Sequence, residues 1–141
     1  MVRLADLVVG EEQAAEEAAE TASQFQEFLR EFRETTVLVP VDDRGGLWSA
    51  DLGGIRWIMT FSDEETLSRF LLFRHEDGER EYHRVLGSRL LDAVVPAVPG
   101  PCGVALDPGS EHGAVLPPVA GVVPDRATVG TYTREGDEVR V

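Results

Sequence analysis

Residues 54–72 read Gly-Ile-Arg-Trp-Ile-Met-Thr-Phe-Ser-Asp-Glu-Glu-Thr-Leu-Ser-Arg-Phe-Leu-Leu, and this stretch decides the fold class. The apolar side chains that alternate over residues 54–61 predict a strand. Ser62 is expected to cap the helix that follows, because Glu65 lies three residues later and completes a capping box. The helix is predicted to end near Phe73, so a strand leads directly into a helix. Its predicted buried stripe consists of Leu67, Phe70 and Leu71.

The chain before this stretch predicts one long helix and two strands. Residues 11–33 show helical spacing of apolar side chains, although the Ala-rich first half has little to bury. Residues 35–41 are predicted to form a strand in which Pro40 marks an edge or an end, since proline has no N–H to donate. A turn at 42–46 and a short strand at 47–51 complete an antiparallel meander. The predicted helical stripe consists of Ala18, Ala22, Phe25, Leu29 and Phe32.

The chain after residue 73 predicts short elements that are separated by turns. Residues 79–86 read either as a strand or as an irregular link. Residues 88–95 predict a helix that stops before Pro96, because the residue preceding a proline disfavours helix. Residues 124–141 alternate weakly and are interpreted as a C-terminal hairpin or a mobile tail. Two short apolar runs are predicted to be strands: 104–106 and 114–116.

Together these elements predict an α+β fold. It comprises an N-terminal helix, an antiparallel β-meander and helices packed on a mixed sheet. The length of 141 residues is that of one domain, and it is enough to bury a core without disulfides or metals. The predicted domain covers residues 1–123.

The charge of the chain restricts its partners. It carries 26 acidic side chains against 13 basic ones, all of them Arg, which gives a net charge of −13. A chain without a basic stripe is not expected to bind nucleic acid, and an anionic membrane surface would repel it. High acidity favours solubility and can steer a basic partner towards the protein. An Arg-only, Ala/Val/Gly-rich composition is typical of a high-GC bacterial genome.

The compartment is predicted from the cysteine content and the N-terminus. One cysteine, Cys102, rules out an internal disulfide, which fits a reducing compartment. The first residues lack the pattern of a secretory signal peptide. Apolar runs are too short for a membrane span. We therefore expect a cytoplasmic protein.

Two groups of residues are candidates for a catalytic or metal-binding site. Cys102 could act as a nucleophile with one of three histidines, but no known catalytic motif surrounds it. Phosphate-loop chemistry is excluded because the sequence has no lysine. The acidic segment around residues 75–83 lacks a standard metal-ligand spacing. We expect no catalytic, cofactor or metal site. The candidates were His75, His83 and His112 as partners of Cys102, and His75, Glu76, Asp77, Glu79, Glu81 and His83 as metal ligands.

Two tryptophans are the most informative aromatic residues. Trp57 shares a strand face with apolar neighbours, which favours a place in the core. Trp48 lies in a short strand beside a polar turn, and Trp and Arg are enriched at binding hot spots. Arg44 and Arg56 could flank Trp48, so these three residues are the predicted partner-binding site.

Three structural motifs occur together in this chain. A strand ends in Val39-Pro40, a second strand runs into an acidic helix start at residues 61–64, and residues 106–109 form an apolar-Asp-Pro-Gly turn. As a set they resemble the SseB-like protein N-terminal domain family of bacteria, and the resemblance extends over residues 25–119. It implies a small α+β domain of unknown biochemical role. Similar domains occur near secretion and toxin–immunity systems, which implies protein–protein binding by association.

Three functional hypotheses follow. The first is a non-enzymatic interaction module of SseB type, without a cofactor, whose unidentified and possibly basic protein partner binds the acidic surface. Its N-terminal helix could pair with a second copy. The second is a ligand-binding domain or small enzyme with a cavity between meander and helices that gathers Cys102, His83 or Asp107. The third is an immunity or chaperone-like partner of a basic protein.

Overall fold

The protein is described by a computed structural model over residues 4–76 and 80–128. It divides into two compact units, Met1–Phe32 and Arg33–Val141. The first unit is helical, and the second contains all the strands of the described residues. The predicted α+β class is confirmed.

The N-terminal helix, α1, spans Leu4–Arg33 and has 30 residues. It begins earlier than the predicted residue 11. In its Ala/Glu half, residues 13–24, every side chain is exposed. Its Phe-rich half carries a row of aromatic contacts, with ring centroids 6.2 Å apart for Phe25 and Phe28 and 6.4 Å apart for Phe28 and Phe32.

Six strands form two sheets. Strands β2, β3, β5 and β6 form one sheet in that order, and β1 pairs with β4 in a second. Strands β3 and β5 are parallel, whereas the other ladders are antiparallel. The larger sheet is therefore mixed, as predicted. The strands are β1 Thr36–Pro40, β2 Ser49–Leu52, β3 Ile55–Thr60, β4 Tyr82–Leu86, β5 Cys102–Leu106 and β6 Ala114–Leu116.

The predicted antiparallel meander is part of a larger pairing, in which Val41 and Leu47 form an antiparallel bridge across the turn at 42–46. Strands β2 and β3 form the expected hairpin, but the ladder partner of β1 is β4. Just after the end of β3, Phe61 forms a bridge with Leu38 of β1, in which each N–H donates to the other carbonyl at 2.8 Å. Because β1 bonds on both sides, residues 37–40 are all buried. Pro40 ends β1, as its missing N–H predicts, and its carbonyl accepts from the Trp48 N–H at 2.9 Å.

Helix α2 spans Glu64–Phe73 and begins one residue later than predicted. Its cap is Asp63, not Ser62: the Asp63 Oδ1 accepts from the Thr66 N–H at 2.8 Å, and the Asp63 N–H donates to the Thr66 hydroxyl at 3.3 Å. The capping box therefore joins Asp63 and Thr66 in place of Ser62 and Glu65. The expected stripe is confirmed, since Leu67 and Leu71 are buried and Phe70 is half-buried.

The helix predicted over residues 88–95 does not stop before Pro96. A short helix α3, Gly87–Arg89, continues into a π-turn, Leu90–Val94, and then into α4, Val95–Ala97. Proline in an α-helix clashes with the carbonyl four residues earlier, and a π-turn widens the backbone at that point. The rule that a helix stops before a proline assumes α-helical spacing, so it places the end of this helix too early.

One cluster of buried side chains in the second unit joins β1 to helix α2. Leu38, Phe61, Leu67 and Leu71 form it, and all four side chains are buried. In β3 the face of Ile58 and Thr60 is the more buried one. Trp57 on the other face is half-buried and lies over Gly103, where a Cβ would come within 2.6 Å of its ring. Both faces of β3 are thus covered, and Trp57, which the sequence predicts to lie in the core, is only partly buried.

The C-terminal prediction lies mostly outside the described residues. Asp125–Ala127 form a 3-10 turn, whereas the predicted hairpin or tail beyond residue 128 is not described. Among the helices at 4–76 and 80–128, none combines the length and apolar character required to cross a membrane.

Candidate interaction groove

A groove lies between helix α2 and the loop that joins β5 to β6. Its walls come from residues 62–73 and 107–112, and its cavity volume is about 800 Å³. The groove is not predictable from local sequence patterns, because its walls are a helix cap and a turn that lie far apart in the chain.

Asp107 holds the two walls together. Its side chain is buried, and its carboxylate accepts from the Ser62 N–H at 2.8 Å and from the Ser62 hydroxyl at 2.8 Å. The Asp107 N–H donates to the Thr60 carbonyl at 2.8 Å. Its φ of 48° lies in the left-handed region, which Asp tolerates better than most residues. The end of β5 is therefore fixed to the start of α2.

The floor of the groove is aromatic. The Phe70 ring centroid lies 5.4 Å from that of Phe61 and 5.8 Å from that of Trp48, so core residues hold it in place. One turn further along α2, Phe73 also lines the groove, and its side chain is 82% exposed. The neighbouring Leu72 is 61% exposed. An apolar surface therefore extends from the groove onto the end of the helix.

The walls of the groove carry mainly acidic groups. Asp63 lies at the start of α2, and Glu111 lies on the opposite loop. The backbone N–H of Thr66, bonded to the Asp63 carboxylate, lowers the pKa of Asp63. Arg69 is the basic residue of the helix wall, and it pairs with Glu65 at 2.5 Å. The groove can therefore accept an apolar side chain with cationic groups beside it.

The groove also contains Ser62, Asp107 and His112, residue types of a hydrolytic triad. Their arrangement is not that of a triad. The Ser62 hydroxyl donates directly to Asp107 at 2.8 Å, whereas a triad places an imidazole between them. Among the described contacts, none joins the His112 imidazole to either residue. The Ser62–Asp107 pair instead has a structural role, because it joins the start of α2 to the end of β5, and this pair of residues is called the lock.

The predicted site residue Trp48 is half-buried against the protein's own arginines. The Cζ atoms of Arg74 and Arg80 lie 5.2 Å and 4.6 Å from the centroid of its ring. Arg80 also donates to the Val41 carbonyl at 3.1 Å and to Glu76 at 2.8 Å. The bond from Arg80 lowers the pKa of Glu76, and Arg74 adds to this effect. Sequence reasoning missed both arginines, because they are distant from Trp48 in the chain.

The other two predicted site residues lie elsewhere. Arg44 is exposed in the turn at 42–46, where its N–H donates to Asp42 at 2.8 Å. Arg56 lies in β3 and pairs with Asp51 at 3.3 Å. Trp48 lies opposite Met59, three residues along β3 from Arg56, or about 10 Å. No described contact joins Arg44 or Arg56 to Trp48.

The candidate nucleophile Cys102 lies at the start of β5, away from the groove. Its thiol is 1% exposed and lines a separate cavity of about 360 Å³ formed with Val95, Val98 and Pro101. Burial raises the pKa of the Cys102 thiol to about 11, which outweighs the opposite effect of Arg56. A buried thiol of high pKa is poorly suited to nucleophilic attack.

The Cys102 thiol is expected to react slowly while the protein is folded. At about pH 8, raising a thiol pKa from its ordinary value of 9.0 to about 11 lowers the thiolate fraction about a hundredfold. Alkylation by iodoacetamide, followed by mass spectrometry, should therefore be at least a hundredfold slower in buffer than in denaturant. Rapid stoichiometric labelling of the folded protein would contradict this environment for the thiol.

The remaining candidates are dispersed. His75 is exposed with a φ of 64° just after α2, His83 is exposed on β4, and Asp107 belongs to the lock. The predicted cavity with Cys102, His83 or Asp107 is divided in the described structure, since Cys102 lines the smaller cavity and Asp107 lines the groove. Two proposed metal ligands, Asp77 and Glu79, lie outside the described residues. Within residues 4–76 and 80–128 there is no cluster of three or more metal-ligating side chains.

Comparison with known proteins places this architecture in a family. The model of the SseB protein N-terminal domain matches residues 11–120. This range includes β1, helix α2 and both walls of the groove. No curated protein and no solved structure matches the chain. The protein belongs to the SseB N-terminal domain family.

Proposed function

We propose that the protein is a non-enzymatic interaction module that binds another protein through the groove beside α2. The observation that carries the proposal is the 82% exposure of Phe73 at the edge of a preformed aromatic floor. A large aromatic side chain in water beside Leu72 is an unfavourable surface for an isolated protein. A partner that covers it gains the free energy of apolar burial.

The charge of the protein favours a basic partner. A net charge of −13 attracts a cationic protein over a longer distance than direct contacts reach, so it accelerates encounter. The same charge supports the absence of nucleic acid and membranes among its partners. We propose that the module acts in the cytoplasm, without a cofactor, on a component of a secretion or toxin–immunity system.

Helix α1 supplies a second proposed contact. Its exposed Ala/Glu half presents small side chains that permit close approach of another helix. We propose that two copies can pair along this helix. A mass of one chain by sedimentation at high protein concentration would contradict this part of the proposal.

The partner is tested by affinity capture from a lysate of the source organism. The full chain and its Phe73→Ala variant are immobilised in parallel, and bound proteins are identified by mass spectrometry at low and high salt. Leu52→Ala is a matched control, because Leu52 is 74% exposed on the β2–β3 hairpin. We expect one protein that the wild type and Leu52→Ala retain, that Phe73→Ala loses, and that high salt releases.

Two results would contradict the proposal. The first is the absence of any protein whose capture depends on Phe73. The second is a captured protein that all three columns retain equally, because its binding would then involve another surface.

A further inference from the structure

The groove combines a rigid floor with an exposed edge. Phe70 is fixed by its contacts with Phe61 and Trp48, at centroid distances of 5.4 Å and 5.8 Å. Phe73 lies three residues later on the same side of the helix, and Pro108 lies on the facing loop. A floor that is already ordered loses little entropy when it binds, so one bulky apolar side chain of a partner could be held there.

Two carboxylates on opposite walls leave the groove negatively charged. Asp63 has a lowered pKa, so it is ionised at neutral pH. Glu111 is exposed, and no basic side chain of the described residues pairs with it. Two other charged groups are already engaged within the protein, since Arg69 pairs with Glu65 at 2.5 Å and the Asp107 carboxylate accepts two hydrogen bonds from Ser62.

We infer that the groove binds an extended segment of a partner protein that has one bulky apolar residue flanked by Lys or Arg. The apolar residue lies against Phe70 and Phe73, and the flanking cations pair with Asp63 and Glu111. This assignment rests on the proposed function and names the ligand of the same site. A second copy of this chain is a poor occupant of the groove, because its 13 basic side chains against 26 acidic ones offer few cations to pair with Asp63 and Glu111.

The inference is tested with a fluorescein-labelled peptide, Ser-Arg-Arg-Leu-Arg-Arg-Ser, whose binding to the full chain is followed by anisotropy at low salt. One control peptide carries alanine in place of leucine, and another carries glutamates in place of the arginines. Two protein variants, Phe73→Ala and Glu111→Arg, alter exposed groove residues. Their matched controls are Leu52→Ala and Glu34→Arg, which alter exposed residues outside the groove.

We expect Phe73→Ala to weaken peptide binding about tenfold or more. Glu111→Arg is expected to weaken it about threefold or more, with a smaller salt dependence. Both control variants should bind within about twofold of the wild type, and both control peptides should bind weakly.

Three results would overturn the inference. One is no binding of the leucine peptide, and another is equal weakening by Glu34→Arg and Glu111→Arg, which would indicate diffuse charge attraction. The third is a dimer that Phe73→Ala dissociates, which would assign the groove to a second copy. If the peptide fails while lysate capture still depends on Phe73, the interaction module stands and only this ligand class is wrong. If the capture also fails, the proposed function is wrong as well.

Discussion

Phe61→Ala is expected to lower the free energy of unfolding by about 3–5 kcal/mol, because it removes a fully buried ring from the centre of the core. The Phe61 side chain is 0% exposed and belongs to the cluster of Leu38, Leu67 and Leu71. Its ring also supports the Phe70 ring at a centroid distance of 5.4 Å. Denaturant unfolding followed by tryptophan fluorescence measures the change.

The matched control for this substitution is Phe73→Ala. It removes the same side chain from a position that is 82% exposed, so it should change the free energy of unfolding by no more than about 0.5 kcal/mol. Equal effects of the two substitutions would contradict the described packing. The small effect of Phe73→Ala also makes it suitable for the binding experiments, because lost binding would not reflect unfolding.

Asp107→Ala is expected to lower the free energy of unfolding by about 2–4 kcal/mol. It removes two hydrogen bonds to a carboxylate and places alanine at a φ of 48°, where a β-carbon is unfavourable. Asp107→Asn keeps an oxygen that can accept from the Ser62 N–H, and asparagine tolerates this backbone region. We expect Asp107→Asn to cost about 1 kcal/mol or less.

Denaturant unfolding of both Asp107 variants tests the lock between β5 and α2. Ser62→Ala is the intermediate case, because it removes the hydroxyl bond to Asp107 and keeps the backbone one. The expected order of destabilisation is Asp107→Ala, then Ser62→Ala, then wild type. An Asp107→Ala variant as stable as the wild type would show that the lock contributes nothing to the fold.

The sequence predicts what local patterns determine. The strand and helix in residues 54–72 follow from alternation and helical spacing, and the buried strand β5 follows from a short apolar run. The error at the start of α2 has a clear physical cause. Ser62 resembles an N-cap, but its hydroxyl donates to Asp107, which is 45 residues away, and Asp63 takes the capping position.

The strand pairing could not be predicted, because it depends on distant parts of the chain. Turn residues at 42–46 and 53–54 correctly indicate tight connections, yet they carry no information about β4. Strand β1 has β4 on one edge and the bridge to Phe61 on the other, and residues 37–40 are all buried. A burial pattern of this kind is typical of a central strand, whereas a meander would leave β1 at an edge.

The candidate groove could not be predicted from the sequence for the same reason. Each wall shows a recognisable local motif, and only the fold brings the walls together through Asp107. One local signal was available: Phe73 lies outside the predicted stripe of Leu67, Phe70 and Leu71, so its exposure could have been anticipated. For Trp48 no local signal was available. The arginines that lie over its ring are Arg74 and Arg80, which are not its sequence neighbours.

The most direct test of the central claim is the affinity of the captured partner for the purified full chain, measured by calorimetry. The claim is that the groove beside α2 binds a basic protein. We predict that Phe73→Ala raises the Kd about tenfold or more, whereas Leu52→Ala leaves it within about twofold of the wild-type value. Equal Kd values for the wild type and Phe73→Ala would contradict the claim and place the binding surface elsewhere on the protein.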